Sequence, residues 1–211
     1  MSDFTLIIGN KNISSWSLRG YLVLKHAGVE FDEVLISLRP KQDREMLNRL
    51  TPAGKVPAVK HGDNYIWDSL AIAEYFNDLF PDMNFWPEHI ESRAHARSVS
   101  AEMHSGFMTL RSLMPMACHN EFEKPDMTGA LKQDIDRVIA LWSECRKKYA
   151  DQGSFLFGQY SIADMMFAPV VFRFNSYQIE LPQILNDYCQ SIIQHPDVQD
   201  WLADADPNDM A

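Results

Sequence analysis

All of the convincing β-prone runs in this chain fall within its first eighty residues, and that asymmetry limits the folds open to it. Phe4 to Ile8 is a short apolar run ending at Gly9-Asn10, and it reads as a buried strand. Ser14 to Ala27 carries Leu18, Leu22 and Lys25-His26 at helical spacing, with Gly28 as its stop. Phe31 to Ile36 is a second strand. Asp43 to Leu50 reads as a short helix, broken by Thr51-Pro52-Ala53-Gly54. Val56 to Val59 and Tyr65 to Trp67 are two more strands, joined as a hairpin by His61-Gly62-Asp63-Asn64. Ser69 to Phe80 closes this half as an amphipathic helix. The order β-α-β-α-β-β-α predicts a mixed sheet covered by helices.

Beyond the connector Pro81 to Pro87 the pattern changes. Helical periods run over Glu88 to Cys118, Met127 to Tyr149, Ser161 to Asn175, Pro182 to Gln194 and Pro196 to Ala203, with no convincing strand. The fold class is therefore an α+β domain at residues 1–80, a linker at 81–88 and an all-α bundle at 89–211.

Composition narrows the function. Apolar residues make up 46% and charged residues 23% of 211, ordinary values for a globular chain with a sizeable core. The net charge is −10 with no basic run, which argues against a nucleic-acid partner. The first eighty residues hold 9 basic and 10 acidic side chains, the remainder 10 and 19. The acidity thus belongs to the helical half. Cys118, Cys145 and Cys189 are few and widely spaced, pointing to a reducing compartment rather than a disulfide framework. The opening residues lack the pattern of a signal peptide and no run is long enough to span a membrane, so a cytoplasmic location and no membrane partner are expected. No metal-ligand spacing occurs among the seven histidines.

Four segments carry chemistry. Ser14-Ser15-Trp16-Ser17 stands where the first strand gives way to the first helix. The free N–H groups of a helix start stabilise an anion, and serine hydroxyls can donate to it; a plain serine cap fits the motif as well. Val56-Pro57 stands at a strand start, where proline is either an ordinary first residue or a cis one that turns the Val56 backbone outward. Asp68-Ser69 opens the next helix. It suits either a cap, with Ser69 capping, or a grip on an α-amino-acid end, with N–H groups for the carboxylate and Asp68 for the ammonium. Ser161 to Asp164 is a capping-box pattern with Asp at the third helical position, a folding element rather than a site.

Together and in this order, these segments resemble the glutathione S-transferase superfamily over nearly the whole chain. The first half is similar to its thioredoxin-like domain and the second to its all-helical domain. Ser14 to Arg19 is similar to the serine segment of the zeta class, with Trp16 where that class has cysteine. Thr51 to Pro57 is similar to the family's stretch ending in a cis Val-Pro. Asp68-Ser69 falls at the acidic-Ser pair that grips the γ-glutamyl end of glutathione, and Gln42 at a glutathione-contacting glutamine.

The resemblance implies glutathione as co-substrate, bound by Trp16, Gln42, Lys55, Val56, Pro57, Asp68 and Ser69. Ser14, with Ser15 beside it, would donate to the thiolate, which attacks a small, largely apolar electrophile. Met108, Arg111 and Arg173 are the candidates for the electrophile's pocket. Arg173 lies three residues before the position of the zeta arginine used in maleylacetoacetate isomerisation, and Ser176 occupies that position itself. A transferase is the first expectation; an isomerase of the maleylacetoacetate type, or a non-catalytic interaction protein on the same fold, is the alternative. The family also implies a homodimer. A thioredoxin-type reductase would need cysteine at the first helix start, where this chain has none.

Overall fold

The computed structural model describes residues 2–37 and 41–209, without the side chains of residues 41–44. The sheet half runs β1 (Phe4–Ile8), α1 (Ser15–His26), β2 (Phe31–Leu35), α2 (Lys41–Leu50), β3 (Ala58–His61), β4 (Asn64–Ile66) and α3 (Ser69–Leu79). The helical half runs α4 (Ile90–Ser105), α5 (Met108–Leu113), α6 (Gly129–Tyr149), α7 (Ile162–Ser176), α8 (Gln183–Ile193) and α9 (Pro196–Asp204). This is a thioredoxin-like β-α-β-α-β-β-α unit followed by an all-α bundle, as the hydrophobic pattern predicts.

Strand order is β2-β1-β3-β4, with β1 parallel to β2 and antiparallel to β3, and β3 antiparallel to β4. β1 is central and buried on both faces. Leu6 and Ile8 join the main core, while Ile7 meets a smaller cluster with Ile36, Leu47 and Ala58. Two-sided burial is why β1 is a continuous apolar run rather than an alternating one. α1 packs closely on the start of β3: a Cβ at Gly20 would lie 2.8 Å from Pro57 Cβ, so only glycine fits without displacement. The loop between β1 and α1 is tied down by Lys11, whose Nζ reaches Glu33 and Asp204, each at 2.8 Å.

α7 is the centre of the molecule. Every residue from Ile162 to Phe174 is buried, and the helix packs on α1, α4 and α8. Its start is closed by Asp164, which accepts from Ser161 N at 2.9 Å, Ser161 Oγ at 3.0 Å and Leu156 N at 3.0 Å. Burial pushes this carboxyl up to about 6, against the hydrogen bonds that favour its charged form.

Two elements depart from the sequence reading. In the hairpin His61 pairs with Asn64, so only Gly62-Asp63 form the turn, and Val56, Pro57 and Trp67 stand outside the strands. Glu88 to Cys118 is not one helix, because Phe107 takes a left-handed conformation with φ 61° and separates α4 from α5. Arg111 closes the break, donating from Nε to Gly106 O at 2.9 Å and from Nη2 to Met103 O. Carbonyls orphaned at the end of α4 thereby gain donors. Met103, Phe107 and Leu110 keep a helical spacing and all stay buried, so the break leaves no mark in the apolar period.

Candidate functional site

α1 begins at Ser15, and Ser14 occupies its N-cap position without capping it: the Ser14 side chain bonds no N–H of the first turn. Its hydroxyl instead pairs with Ser17 Oγ at 2.7 Å, and Ser17 Oγ also accepts from Gly9 N at 2.9 Å. Hydroxyl protons rotate, so the Ser14–Ser17 bond can run in either direction. With Ser17 donating, the Ser14 proton is free for a ligand. The Ser15 hydroxyl has no hydrogen-bond partner among the described residues. The first turn therefore keeps its positive end and serine donors uncommitted to a cap.

Val56-Pro57 is a cis peptide. Among the described residues, neither the Val56 N–H nor its C=O is hydrogen-bonded, so this backbone edge is open to an extended peptide. Lys55 is exposed, and its backbone N donates to Thr51 Oγ1 at 3.2 Å.

At α3 the structure reverses the expected division of labour. Asp68, not Ser69, caps the helix: its Oδ1 accepts from Leu70 N at 3.0 Å and Ala71 N at 3.4 Å. Carboxylate reach explains the exchange, since Asp68 stands one residue before the first helical turn and Ser69 is already inside it. Ser69 is buried, and its Oγ has no hydrogen-bond partner among the described residues. The second oxygen of Asp68 pairs with His104 Nε2 of α4 at 2.8 Å. His104 also meets Trp16 edge-on, ring centroids 5.3 Å apart. The helical half thus reaches into the carboxylate expected to hold an ammonium.

Trp16 organises the remaining charges. Arg19 and Arg111 both lie against its ring, their guanidinium carbons 4.5 and 4.8 Å from the centroid. Arg19 is 1% exposed; its Nε donates to Met166 O at 3.0 Å, while Nη1 and Nη2 have no hydrogen-bond partner among the described residues. Arg173 is also buried and donates to the carbonyls of Arg111 and Met114, which anchors the end of α5. Burial, reinforced by Arg111, lowers the Arg173 pKa to about 10, so it stays charged at neutrality. None of these three arginines has a carboxylate within ion-pair distance among the described residues.

The structure therefore joins Trp16, Asp68 and Arg111, links Arg173 to them through the end of α5, and places Val56-Pro57 against α1. Met108 stands 66% exposed at the start of α5. The side chain of Gln42 lies outside the described residues. Arg19 and His104 are the residues that motif reading passed over. A cation among Leu18, Gly20, Tyr21 and Leu22 was the available signal for Arg19; His104 left none.

Burial pushes the thiols of Cys118, Cys145 and Cys189 up to about 12, so they are poor nucleophiles at neutrality. Among the described residues, no group of three His, Cys, Asp or Glu is placed to hold a metal, and no helix is long and apolar enough to cross a membrane. Concavities of about 630 Å³ beside Tyr21 and Lys25 and about 550 Å³ beside Trp86 and Tyr160 contain none of the candidate residues. Chemistry, not cavity size, locates the site.

A sheet unit with an open serine-led helix start, followed by an all-α bundle, defines a class, and the comparisons agree with it. Residues 13–79 match the family model for the glutathione S-transferase N-terminal domain, and residues 126–204 the model for the C-terminal domain. The chain belongs to the glutathione S-transferase superfamily. It is 28% identical over 195 residues to a probable maleylacetoacetate isomerase of Caenorhabditis elegans, covering 88% of this chain and 89% of that one. It is also 28% identical over 171 residues to the maleylacetoacetate isomerase of Rattus norvegicus, covering 79% and 76%. Among solved structures, a Burkholderia glutathione transferase homolog with bound glutathione superposes with a TM-score of 0.71 at 25% identity, covering 95% of this chain and 96% of that one.

Proposed function

We propose that this chain is a glutathione-dependent enzyme that adds the glutathione thiolate to an electrophilic carbon. The observation that carries the reading is the start of α1, where Ser14 and Ser15 are not spent on capping. A free thiol of pKa about 8.5 is only a few per cent ionised at pH 7, and hydroxyl donors at a helix N-terminus raise that fraction. The open Val56 backbone suits the peptide bond of glutathione, with Lys55 beside it. Asp68, whose second oxygen is shared with His104, suits the ammonium of its amino-acid end, and the buried Ser69 hydroxyl the carboxylate. Trp16, Pro57 and Gln42 are the remaining glutathione contacts of this reading. The glutathione-bound Burkholderia homolog supports this assignment. The division into a binding domain at 1–80, a linker at 81–88 and a helical domain at 89–211, and a homodimeric state, belong to the same reading.

One named relative is a maleylacetoacetate isomerase and another a probable one, and they favour a glutathione-dependent isomerase over a simple transferase. The two reactions share their first step. The thiolate forms a C–S bond to an alkene carbon conjugated to a carbonyl, and the alkene electrons move to the carbonyl oxygen as an enolate. In isomerisation the former double bond rotates, the enolate collapses, the C–S bond breaks and the thiolate returns. In transfer the enolate takes a proton and the C–S bond stays. Arg111 and Arg173, unneutralised by carboxylates among the described residues, suit an acidic electrophile, with Met108 at the rim.

The test is a pair of assays on the purified chain after glutathione binding is measured. Isomerisation of maleylacetoacetate without net loss of glutathione supports the isomerase. One-to-one consumption of glutathione with an α,β-unsaturated ketone, leaving a stable thioether, supports the transferase. Binding without turnover assigns an interaction protein, and no binding at millimolar glutathione overturns the reading altogether. Light scattering decides the homodimer.

A further inference from the structure

Arg19 is the most anomalous charge in the protein. It is buried, yet two of its three nitrogens have no acceptor and no carboxylate pairs with it among the described residues. Its single hydrogen bond, Nε to Met166 O, fixes the guanidinium between the two halves without neutralising it. The surroundings make matters worse. Arg111 lies against the same Trp16 ring, and both Arg111 and Arg173 act on Arg19 as like charges; Asp68 is the attractive one. The side chain also folds back toward the N-terminus of its own helix, the direction helical side chains take, to reach Trp16 in the first turn. That places a cation at the positive end of a helix dipole, where cations are disfavoured. A guanidinium keeps its proton at neutral pH. Burying it unpaired is costly unless an anion arrives.

We propose that the anion is the glutathione thiolate, and that Arg19 is a positioning residue that stabilises it electrostatically from beneath the first turn of α1. This rests on the glutathione reading above. Ser15 and Arg19 are four residues apart and so share a helix face, which aligns the charge with a hydroxyl lacking a partner. Trp16 closes over the guanidinium and keeps water from screening it. The ligand sulfur need not touch Arg19. A fixed charge in a dry, low-dielectric layer shifts a neighbouring ionisation by about one pKa unit or more. The hydroxyls and helix N-terminus then share the task with a full charge.

The thiol pKa of bound glutathione, followed by thiolate ultraviolet absorbance, tests this in the wild type, Arg19→Lys and Arg19→Met. The expected result is a rise of about one unit, a tenfold loss of thiolate at neutral pH, in Arg19→Met. Arg19→Lys keeps most of the wild-type value because it keeps the charge. An unchanged pKa in folded, glutathione-binding Arg19→Met overturns the proposal, as does an equal shift in both variants. So does an effect confined to the KM of the electrophile, which would assign the charge to that substrate instead. If Arg19→Met does not fold, Arg19→Lys and the wild type still decide through ligand choice. Both should prefer glutathione sulfonate, anionic at the sulfur, over S-methylglutathione, and Arg19→Gln, uncharged but still a donor, should lose about tenfold of that preference; an equal preference in Arg19→Gln overturns the proposal. Failure of glutathione itself to bind sinks the functional reading instead, and so is distinguishable.

Discussion

Two helices, α1 and α7, have serine at the N-cap position among the described residues, and their first turns are used in opposite ways. At α7, Asp164 satisfies Ser161 N, Ser161 Oγ and Leu156 N together, so the turn is saturated and buried. At α1, Ser14 and Ser15 leave the turn uncapped by side chains, over a cation with unpartnered nitrogens. One start spends its polar groups on folding; the other leaves its serine hydroxyls off the N–H groups of the first turn. The contrast shows that a serine at an N-cap position reveals its use through what its hydroxyl already binds.

The comparison breaks most easily at its saturated end. Asp164→Ala strands three buried donors, which should cost about 3–5 kcal/mol, read as a fall in the urea midpoint. If the loss is under about 1 kcal/mol, the α7 start is not a structural keystone. The sign with pH follows from the raised carboxyl. Because its folded pKa, about 6, exceeds the usual 3.8, its contribution is fully present below about 4 and is lost as pH rises through 6. Thermal melts should therefore show Asp164→Asn losing this pH dependence between 4 and 6.

At the open end the expected pattern is reversed. Ser14→Ala and Ser15→Ala should each change stability by no more than about 1 kcal/mol, while the more important one lowers kcat/KM roughly 10- to 100-fold. A loss of stability without loss of activity would make α1 another structural start. Asp68→Asn is intermediate, since it retains a capping oxygen but loses its charge. A rise of about tenfold in the KM for glutathione is expected, and its absence removes Asp68 from the amino-end site. Gly20→Ala should destabilise by about 1–3 kcal/mol through its clash with Pro57, measured by thermal melt. Met108→Ala, at an exposed position, should change stability by less than about 0.5 kcal/mol, and a larger KM effect on the electrophile would place it in the pocket.

Much of the fold was legible because local pattern and final burial agree. β1 reads as apolar on both faces and is buried on both; the serine and aspartate of α7 read as a capping box and form one. The break before α5 was not legible, because the left-handed Phe107 and the returning Arg111 are set by tertiary contact while the apolar spacing continues. The site divides similarly. Ser14, Val56-Pro57 and Asp68-Ser69 announce themselves as loop-to-helix or loop-to-strand junctions. The exchange of roles between Asp68 and Ser69 depends on where the first turn begins, to within one residue. His104 gave no signal because its partner stands thirty-six residues away in another part of the fold.

α7 carries a consequence for how the molecule assembles. With residues 162–174 buried, it has almost no solvent-facing side, and its cover comes from α1 as well as from α4 and α8. A fragment holding only the helical half would present a bare apolar strip where α1 belongs, and the sheet half alone would leave the matching face of α1 uncovered. Neither piece is a self-sufficient part to be exchanged like a module. During synthesis the first half must wait, about a hundred residues, for the helix that completes it.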